Sequence, residues 1–240
     1  MDSYSFRDTT ISSYSQRAKF YEKETDWVHN NNCVSPFVFK PFGSKLAFDA
    51  CAGTGAVSKE LVKNGWIVVS CDKSKDMLEE GRVPIPIIGD IHSIPSLDNH
   101  FDLVVCRQGL QYTNLDKAIG ELVRICKGII VLGHITTEVG DNTDFWENYF
   151  KIASPERKHI FKPGDIEKII AKYRYKYSKT VIHQQDNYLG PILHLSDDKQ
   201  SILLSLLTDS SESFKKLYSV TLTNNKYTYS NRWEFIKIEL

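Results

Sequence analysis

Along the chain, short apolar runs alternate with stretches whose apolar positions recur every three or four residues. Leu46–Asp49 (L-A-F-D), Trp66–Cys71 (W-I-V-V-S-C), Phe101–Cys106 (F-D-L-V-V-C) and Ile129–Leu132 read as strands buried on both faces. Pro84–Ile88 supports only a short strand, because two prolines remove ladder donors. Between these runs, Ala56–Lys63, Ser74–Glu80 and Asp116–Cys126 carry helical spacing, with Leu115, Ile119, Leu122 and Cys126 on one stripe. Ser74 is placed as an N-cap, and Asn64-Gly65 and Gly128 read as helix stops. Strands and amphipathic helices in alternation predict an α/β fold with a mostly parallel sheet covered on both faces.

The flanks are less regular. Residues 1–13 read as polar and mobile, and Ser15–Trp27 as a helix with Ala18, Tyr21 and Trp27 on one side. Asn30-Asn31-Asn32 then breaks the pattern, and Pro36 and Pro41 hold the approach to the first strand extended. Beyond the regular half, Thr143–Ala153 is a helical stretch rich in aromatics (Phe145, Trp146, Tyr149, Phe150). A helix from Pro163-Gly164-Asp165 to Tyr173 and a strand near Tyr177–His183 follow. Ser196–Leu207 and Ser213–Ser219 read as a helical pair, and Tyr227–Tyr229 and Trp233–Ile238 as two strands. No repeat or linker divides the chain. It reads as one domain, with residues 1–43 a helical cap, 44–137 the core, and 138–240 a lid, inserted helices and final strands.

Composition narrows the partners. Thirty basic and thirty acidic side chains cancel, 41% of residues are hydrophobic and 25% charged, so the chain is of ordinary globular type. Without a basic excess, nucleic acid stands behind a small molecule as the expected partner. No run approaches the roughly 20 apolar residues that span a bilayer, which predicts no membrane association. The start, Met1-Asp2-Ser3-Tyr4-Ser5, lacks the basic and apolar regions of a signal peptide. Cys51, Cys71, Cys106 and Cys126 lie in or beside apolar segments, and no C-x-x-C pair occurs. Reduced thiols in a cytoplasmic protein, with no metal site, fit that pattern.

The chemistry concentrates in Leu46–Gly55, L-A-F-D-A-C-A-G-T-G. A strand turning through small residues onto a helix start lets ligand atoms approach bare backbone N–H groups, as in nucleotide-type cofactor sites. A dinucleotide turn wants a third glycine, where Gly53-Thr54-Gly55-Ala56-Val57-Ser58 ends in serine. No Gly-Lys-Ser/Thr follows, which excludes a P-loop. Asp49 ends the first strand and Asp72 the second, where a carboxylate can accept both ribose hydroxyls. Asp90, in Gly89-Asp90-Ile91, can accept from an adenine amino group while Ile91 packs on the ring. Each aspartate also has a plainer reading as a turn or cap residue.

Taken together, F-D-A-C-A-G-T-G (48–55), V-V-S-C-D (68–72), G-D-I-H-S-I-P (89–95), F-D-L-V-V-C-R-Q (101–108) and the helix–Gly128–strand passage resemble the class I S-adenosylmethionine-dependent methyltransferases. The resemblance covers residues 44–137. It points within that family to the small-molecule branch of the ubiquinone, menaquinone and biotin pathways. It implies a Rossmann-like fold with a mostly parallel seven-stranded sheet and a helical, aromatic lid. It also implies S-adenosyl-L-methionine as cofactor. On that pattern Asp49, Ala50, Gly53, Thr54 and Gly55 line the methionine and ribose side, and Asp72 with Lys73 the ribose. Asp90 and Ile91 would take the adenine, and Arg107 or Gln108 the methionine end, although Arg107 can equally pair with a carboxylate. One position departs: Cys51 stands where the family has its first glycine.

Methyl transfer from a sulfonium is an in-line displacement with a neutral leaving group, so the protein's tasks are alignment and exclusion of water. Where the acceptor must lose a proton, His134 at the end of the fifth strand is the candidate base, a structural histidine being the alternative. Gln111 and Tyr112 after the fourth strand would face the acceptor, or pack a helix start. The lid is expected from Tyr14, Tyr21, Trp27, Trp146 and Tyr149, which favours a flat or apolar biosynthetic small molecule. The fourth strand ends Cys106-Arg107-Gln108-Gly109, not in the Asn/Asp-Pro-Pro-aromatic run that amino-methylating nucleic-acid enzymes resemble. Nucleic-acid or protein methylation is therefore the alternative reading, and a non-catalytic cofactor-binding partner protein is another. The basic–aromatic block Lys172–Tyr177 reads as a solvated helix end. Nothing in the sequence separates a monomer from a homodimer.

Overall fold

The computed structural model describes residues 9–240, with side chains from Ser13 onward. The expectation for residues 1–8 lies outside the described residues. From Thr9 the chain is helical rather than irregular: α1 (Thr9–Arg17) and α2 (Tyr21–Glu24) divide the single helix expected to Trp27. The asparagine run starts a helix instead of ending one. Asn30 caps α3 (Asn31–Val34), its side-chain oxygen accepting the Asn32 N–H at 2.9 Å.

The regular half follows the alternation closely. β1 (Leu46–Ala50), α4 (Ala56–Lys63), β2 (Ile67–Asp72), α5 (Lys75–Gly81), β3 (Pro86–Ile88), β4 (Phe101–Arg107), α6 (Leu115–Ile125) and β5 (Cys126–Thr136) occur in that order. Ser74 caps α5, its hydroxyl accepting the Met77 N–H at 3.3 Å. Gly128 is not a helix stop, because α6 passes directly into β5. Its bare Cα lies against β4, where a Cβ would come within 2.3 Å of the Asp102 carbonyl oxygen.

The second half comprises α7 (Asp144–Ala153), α8 (Asp165–Ile170), β6 (Lys176–Asn187), α9 (Asp197–Thr208), α10 (Glu212–Leu217), β7 (Thr221–Thr223) and β8 (Lys226–Glu239). The two strands expected at the C-terminus are one. β8 runs through Asn231 and Arg232 because both polar side chains are satisfied inside. Asn231 donates to Asp186 and Arg232 to Thr136 and Glu234. Strand order is β3-β2-β1-β4-β5-β8-β6, with β7 a short extra hairpin strand on β8, so the sheet has eight strands rather than seven. The β3-to-β5 ladders are parallel, and β8 pairs antiparallel with β5, β6 and β7.

Pleat alternation fills both faces. Phe48, Val104, Ile130 and Leu132 face α6 (Ile119, Leu122) and α8 (Ile166, Ile170). Ala47, Leu103, Val105 and Val131 face Val57 and Leu61 of α4, with Phe37 and Trp233. A third, aromatic core of Phe145, Trp146, Tyr149, Tyr188, Tyr218 and Tyr229 joins α7 to α9 and α10. All five parallel strands therefore end on one edge, where their last residues and the following loops are free to form a site.

Candidate functional site

The turn after β1 is held by a carboxylate. Asp72, at the end of β2, accepts the Gly53 N–H at 2.8 Å on one oxygen and the Ser74 N–H at 2.9 Å on the other. One side chain thus fixes both the glycine turn and the start of α5. Burial raises its pKa, and the backbone N–H bonds oppose the rise. Gly53 and Gly55 have φ of +55° and +73°, in the left-handed region glycine enters without strain. Asp49 is buried and accepts the Ser58 hydroxyl at 2.6 Å, and burial pushes its pKa up to about 6. The serine that argued against a dinucleotide turn is therefore the partner of the first aspartate.

These groups border a cavity of about 300 Å³ at the strand ends. Asp49, Ala50, Gly53, Thr54, Asp72, Lys73, Ile91, Arg107 and Gln108 all line it. Two expected residues do not. Gly55 turns away from the cavity, and a Cβ on it would lie 2.5 Å from Val83. Asp90 is drawn off by Lys73 (3.0 Å) and His92 (2.6 Å), leaving Gly89, Ile91 and His92 on the wall. The His92 Nε2 accepts the Asn114 N–H at 2.8 Å, so its Nδ1 carries the hydrogen given to Asp90. Among the described residues Arg107 pairs with no carboxylate. Its Nη1 donates to the Val28 and Cys33 carbonyls at 3.0 and 3.3 Å beneath the Trp27 ring, tying the N-terminal segment to β4.

Cys51 also has an explanation. It sits at φ +56°, the conformation a glycine would supply, and Gly109 accommodates its thiol: a Cβ on Gly109 would lie 2.4 Å from the Cys51 Cβ.

A second cavity, of about 120 Å³, adjoins the first, and Tyr14, Tyr21, Trp27, Gln108 and Tyr112 line both. Gln111 lines it too, and donates to the Gln108 backbone oxygen at 2.8 Å and side-chain oxygen at 3.1 Å. This leaves the Gln108 Nε2 and Gln111 Oε1 buried without partners, one donor and one acceptor at the junction. A hydroxyl chain also reaches it. Tyr14 donates to Tyr112 at 3.1 Å, the Tyr112 and Ser154 oxygens lie 3.1 Å apart, and Ser154 donates to Glu156 at 3.0 Å. Trp146 and Tyr149 of α7 form the far wall.

His134 is corrected. It is 1% exposed, lines neither cavity, lies 3.6 Å from Glu234 on β8, and packs edge-on against Phe161. That is a structural position between strands. Arg17, Arg157, Asp186 and Asn231, which line the second cavity, were missed. Each comes from a separate element with no local motif. The Lys172–Tyr177 block is surface structure, Lys172 pairing with Asp116. Among the described residues no three metal-ligating side chains cluster, no helix is long and apolar enough to cross a membrane, and all five cysteines are free.

A parallel sheet in this order, extended by an antiparallel strand and carrying an acidic glycine turn at its edge, defines a Rossmann-like methyltransferase fold. A family model described as a methyltransferase domain matches residues 48–131 of the chain. The demethylmenaquinone methyltransferase of Corynebacterium kroppenstedtii is 39% identical over 89 residues, 35% of this chain and 38% of that protein. That of Thermobifida fusca is 32% identical over 96 residues, 36% and 41% of the two. The matched segment thus spans about two fifths of these relatives' length. Among solved structures, the YcgJ protein of Bacillus subtilis superposes with a TM-score of 0.72 at 17% identity, over 81% of this chain and 91% of that one. The phosphoethanolamine N-methyltransferase 2 of Haemonchus contortus, in complex with S-adenosylhomocysteine, gives 0.60 at 16% identity, over 98% and 57%. At such identities the structural likeness is one of fold.

Proposed function

We propose that this chain is an S-adenosylmethionine-dependent methyltransferase acting on a biosynthetic small molecule. The observation that carries the reading is the pair of adjoining cavities, one built on the Gly53 turn and Asp72, the other walled by aromatic rings. The residues fit the cofactor. Asp72 accepts backbone N–H groups on both oxygens and retains lone-pair capacity for a ribose hydroxyl. Ile91 offers an apolar wall for a ring, and the unpartnered Gln108 amide a donor near the methionine end. When bound, the cofactor would supply an activated methyl group. The chain's own part is to seat the acceptor across the Gln108–Tyr112 junction and keep water out with α1, α2 and α7. Where the acceptor must lose a proton, the Tyr14–Tyr112–Ser154–Glu156 chain, rather than His134, offers it a path.

Calorimetric titration with S-adenosylmethionine tests the reading, and no heat at millimolar ligand with folded protein refutes it. Replacing Asp72 with Asn should weaken binding by about 1.5–3 kcal/mol, the worth of charge-assisted bonds to the ribose. Unchanged affinity removes the ribose role. The five free cysteines support a cytoplasmic setting. The small volume and aromatic walls of the second cavity favour a small acceptor over a nucleic acid or protein chain. Tight cofactor binding without product from a broad acceptor panel would support the non-catalytic alternative.

A further inference from the structure

We infer that the second cavity is built to hold an anionic acceptor, with Arg17 and Arg157 gripping a carboxylate or phosphate on an aromatic body. The inference rests on the reading of that cavity as the acceptor site.

The two guanidiniums come from α1 and from the loop after α7, and both line the cavity. Tyr14 and Tyr149 line the same cavity, and each feels the charge of both arginines. Among the described residues neither has a carboxylate within 4.0 Å. The other sheltered arginines are all provided for: Arg124 has Asp98 and Glu121, Arg232 has Glu234, and Arg107 has two backbone carbonyls. Arg157 has only the His159 carbonyl on its Nε, the Tyr112 hydroxyl and the Phe150 ring 4.0 Å beneath it. Arg17 lies over Tyr14 and Tyr21, 5.6 and 5.2 Å from their centroids, and its Nε is buried with no partner. A sheltered guanidinium without an anion is costly, and the fork-shaped donor set matches a carboxylate or phosphate.

Among the described residues no nearby carboxylate pairs with either arginine, although Glu24 Oε2 and Asp186 Oδ1 are themselves buried without partners. Glu24 lies within electrostatic range of Arg17 but makes no ion pair with it. Asp26 is exposed and accepts the Asn187 N–H at 3.0 Å, and Asp186 accepts from Asn231. Among the described residues no counter-charge is supplied, which leaves it to the ligand. The rings of Trp146, Tyr149 and Phe150 on the same wall suit a flat body attached to it.

The test uses the full chain saturated with S-adenosylhomocysteine and titrated with benzoate, phenyl phosphate, methyl benzoate and benzylamine. At least one anion should bind about tenfold or more tightly than the neutral ester and the amine. The stronger of the two anions tells carboxylate from phosphate. Arg157→Gln and Arg17→Gln should each remove about tenfold of that preference while leaving the ester's affinity and that of S-adenosylhomocysteine unchanged. Arg157→Lys, which keeps the charge, should retain part of the preference and guards against a folding defect. Equal binding of acid and ester, preference for the amine, absence of any anion binding, or indifference to both substitutions would each overturn the inference. Because S-adenosylhomocysteine binding is measured first, its failure would count against the methyl-donor reading separately.

Discussion

Gly109 and Cys51 form a pair whose energetics can be worked out in advance. Gly109 has φ −113°, a conformation open to any residue, so the backbone does not require glycine there. What excludes a side chain is Cys51: an added Cβ would lie 2.4 Å from its Cβ and 2.5 Å from its Sγ. Cys51 cannot easily retreat, because it is fixed at φ +56° with its thiol beside Cys106. Gly109→Ala should therefore cost about 1–3 kcal/mol of stability by overpacking. Cys51→Gly alone should be close to neutral, since relief of a left-handed backbone, about 1 kcal/mol, offsets the lost packing of a half-buried thiol. With glycine in place of Cys51, nothing obstructs the methyl group that Gly109→Ala adds. The double variant should then recover about 1–2 kcal/mol relative to the sum of the singles. Denaturant unfolding with a constant m-value measures this, and affinity for S-adenosylhomocysteine, whose proposed cavity this turn lines, should recover in parallel. Additivity within about 0.5 kcal/mol, or a harmless Gly109→Ala in the presence of Cys51, would show that the contact does not restrain the turn.

Two further outcomes follow from buried ionisable groups. Burial and the nearby charge of Asp26 push the Asp186 carboxyl from 3.8 up to about 7, against the Asn231 amide. Between about pH 4 and 7 the native state holds a proton the unfolded chain has lost, so stability falls as pH rises through that window and levels off above it. Asp186→Asn should abolish this fall, matching the parent near pH 4 and exceeding it by up to about 4 kcal/mol near pH 8; parallel unfolding profiles for the two proteins would refute the buried, neutral assignment. His134→Gln should lower stability by about 1–2 kcal/mol through its loss beside Glu234, while affinity for S-adenosylhomocysteine stays within about twofold. A large loss of affinity in the folded variant would return His134 to the site.

What could be read from the sequence divides along the range of the interactions involved. The glycine turn, Asp49 and Asp72 belong to consecutive strand–turn–helix units, so apolar periodicity and a short motif place them together before any tertiary contact is known. Serine at 58 was legible as a missing glycine but not as a partner, because its bond to Asp49 depends on where α4 lies on the sheet. Asp90 shows the limit of carrying a motif over by position: it stands where expected, yet Lys73 and His92 engage its carboxyl and leave the wall to its neighbours. The misjudged elements fail in the same way. Gly128 looked like a stop because the approach of β4 is invisible locally, and β8 looked broken because the partners of Asn231 and Arg232 lie on β6 and β5. The second cavity is wholly of this kind. Arg17 and Arg157 are ordinary in their own segments, and become informative only when the fold brings them to one cavity where, among the described residues, neither has a carboxylate partner. On the proposed function, a methyl donor can be held by a local motif, whereas the acceptor would be met by side chains from α1, α7, the loop after it and β6. On that reading the donor site is written in the sequence, and the acceptor site in the tertiary contacts.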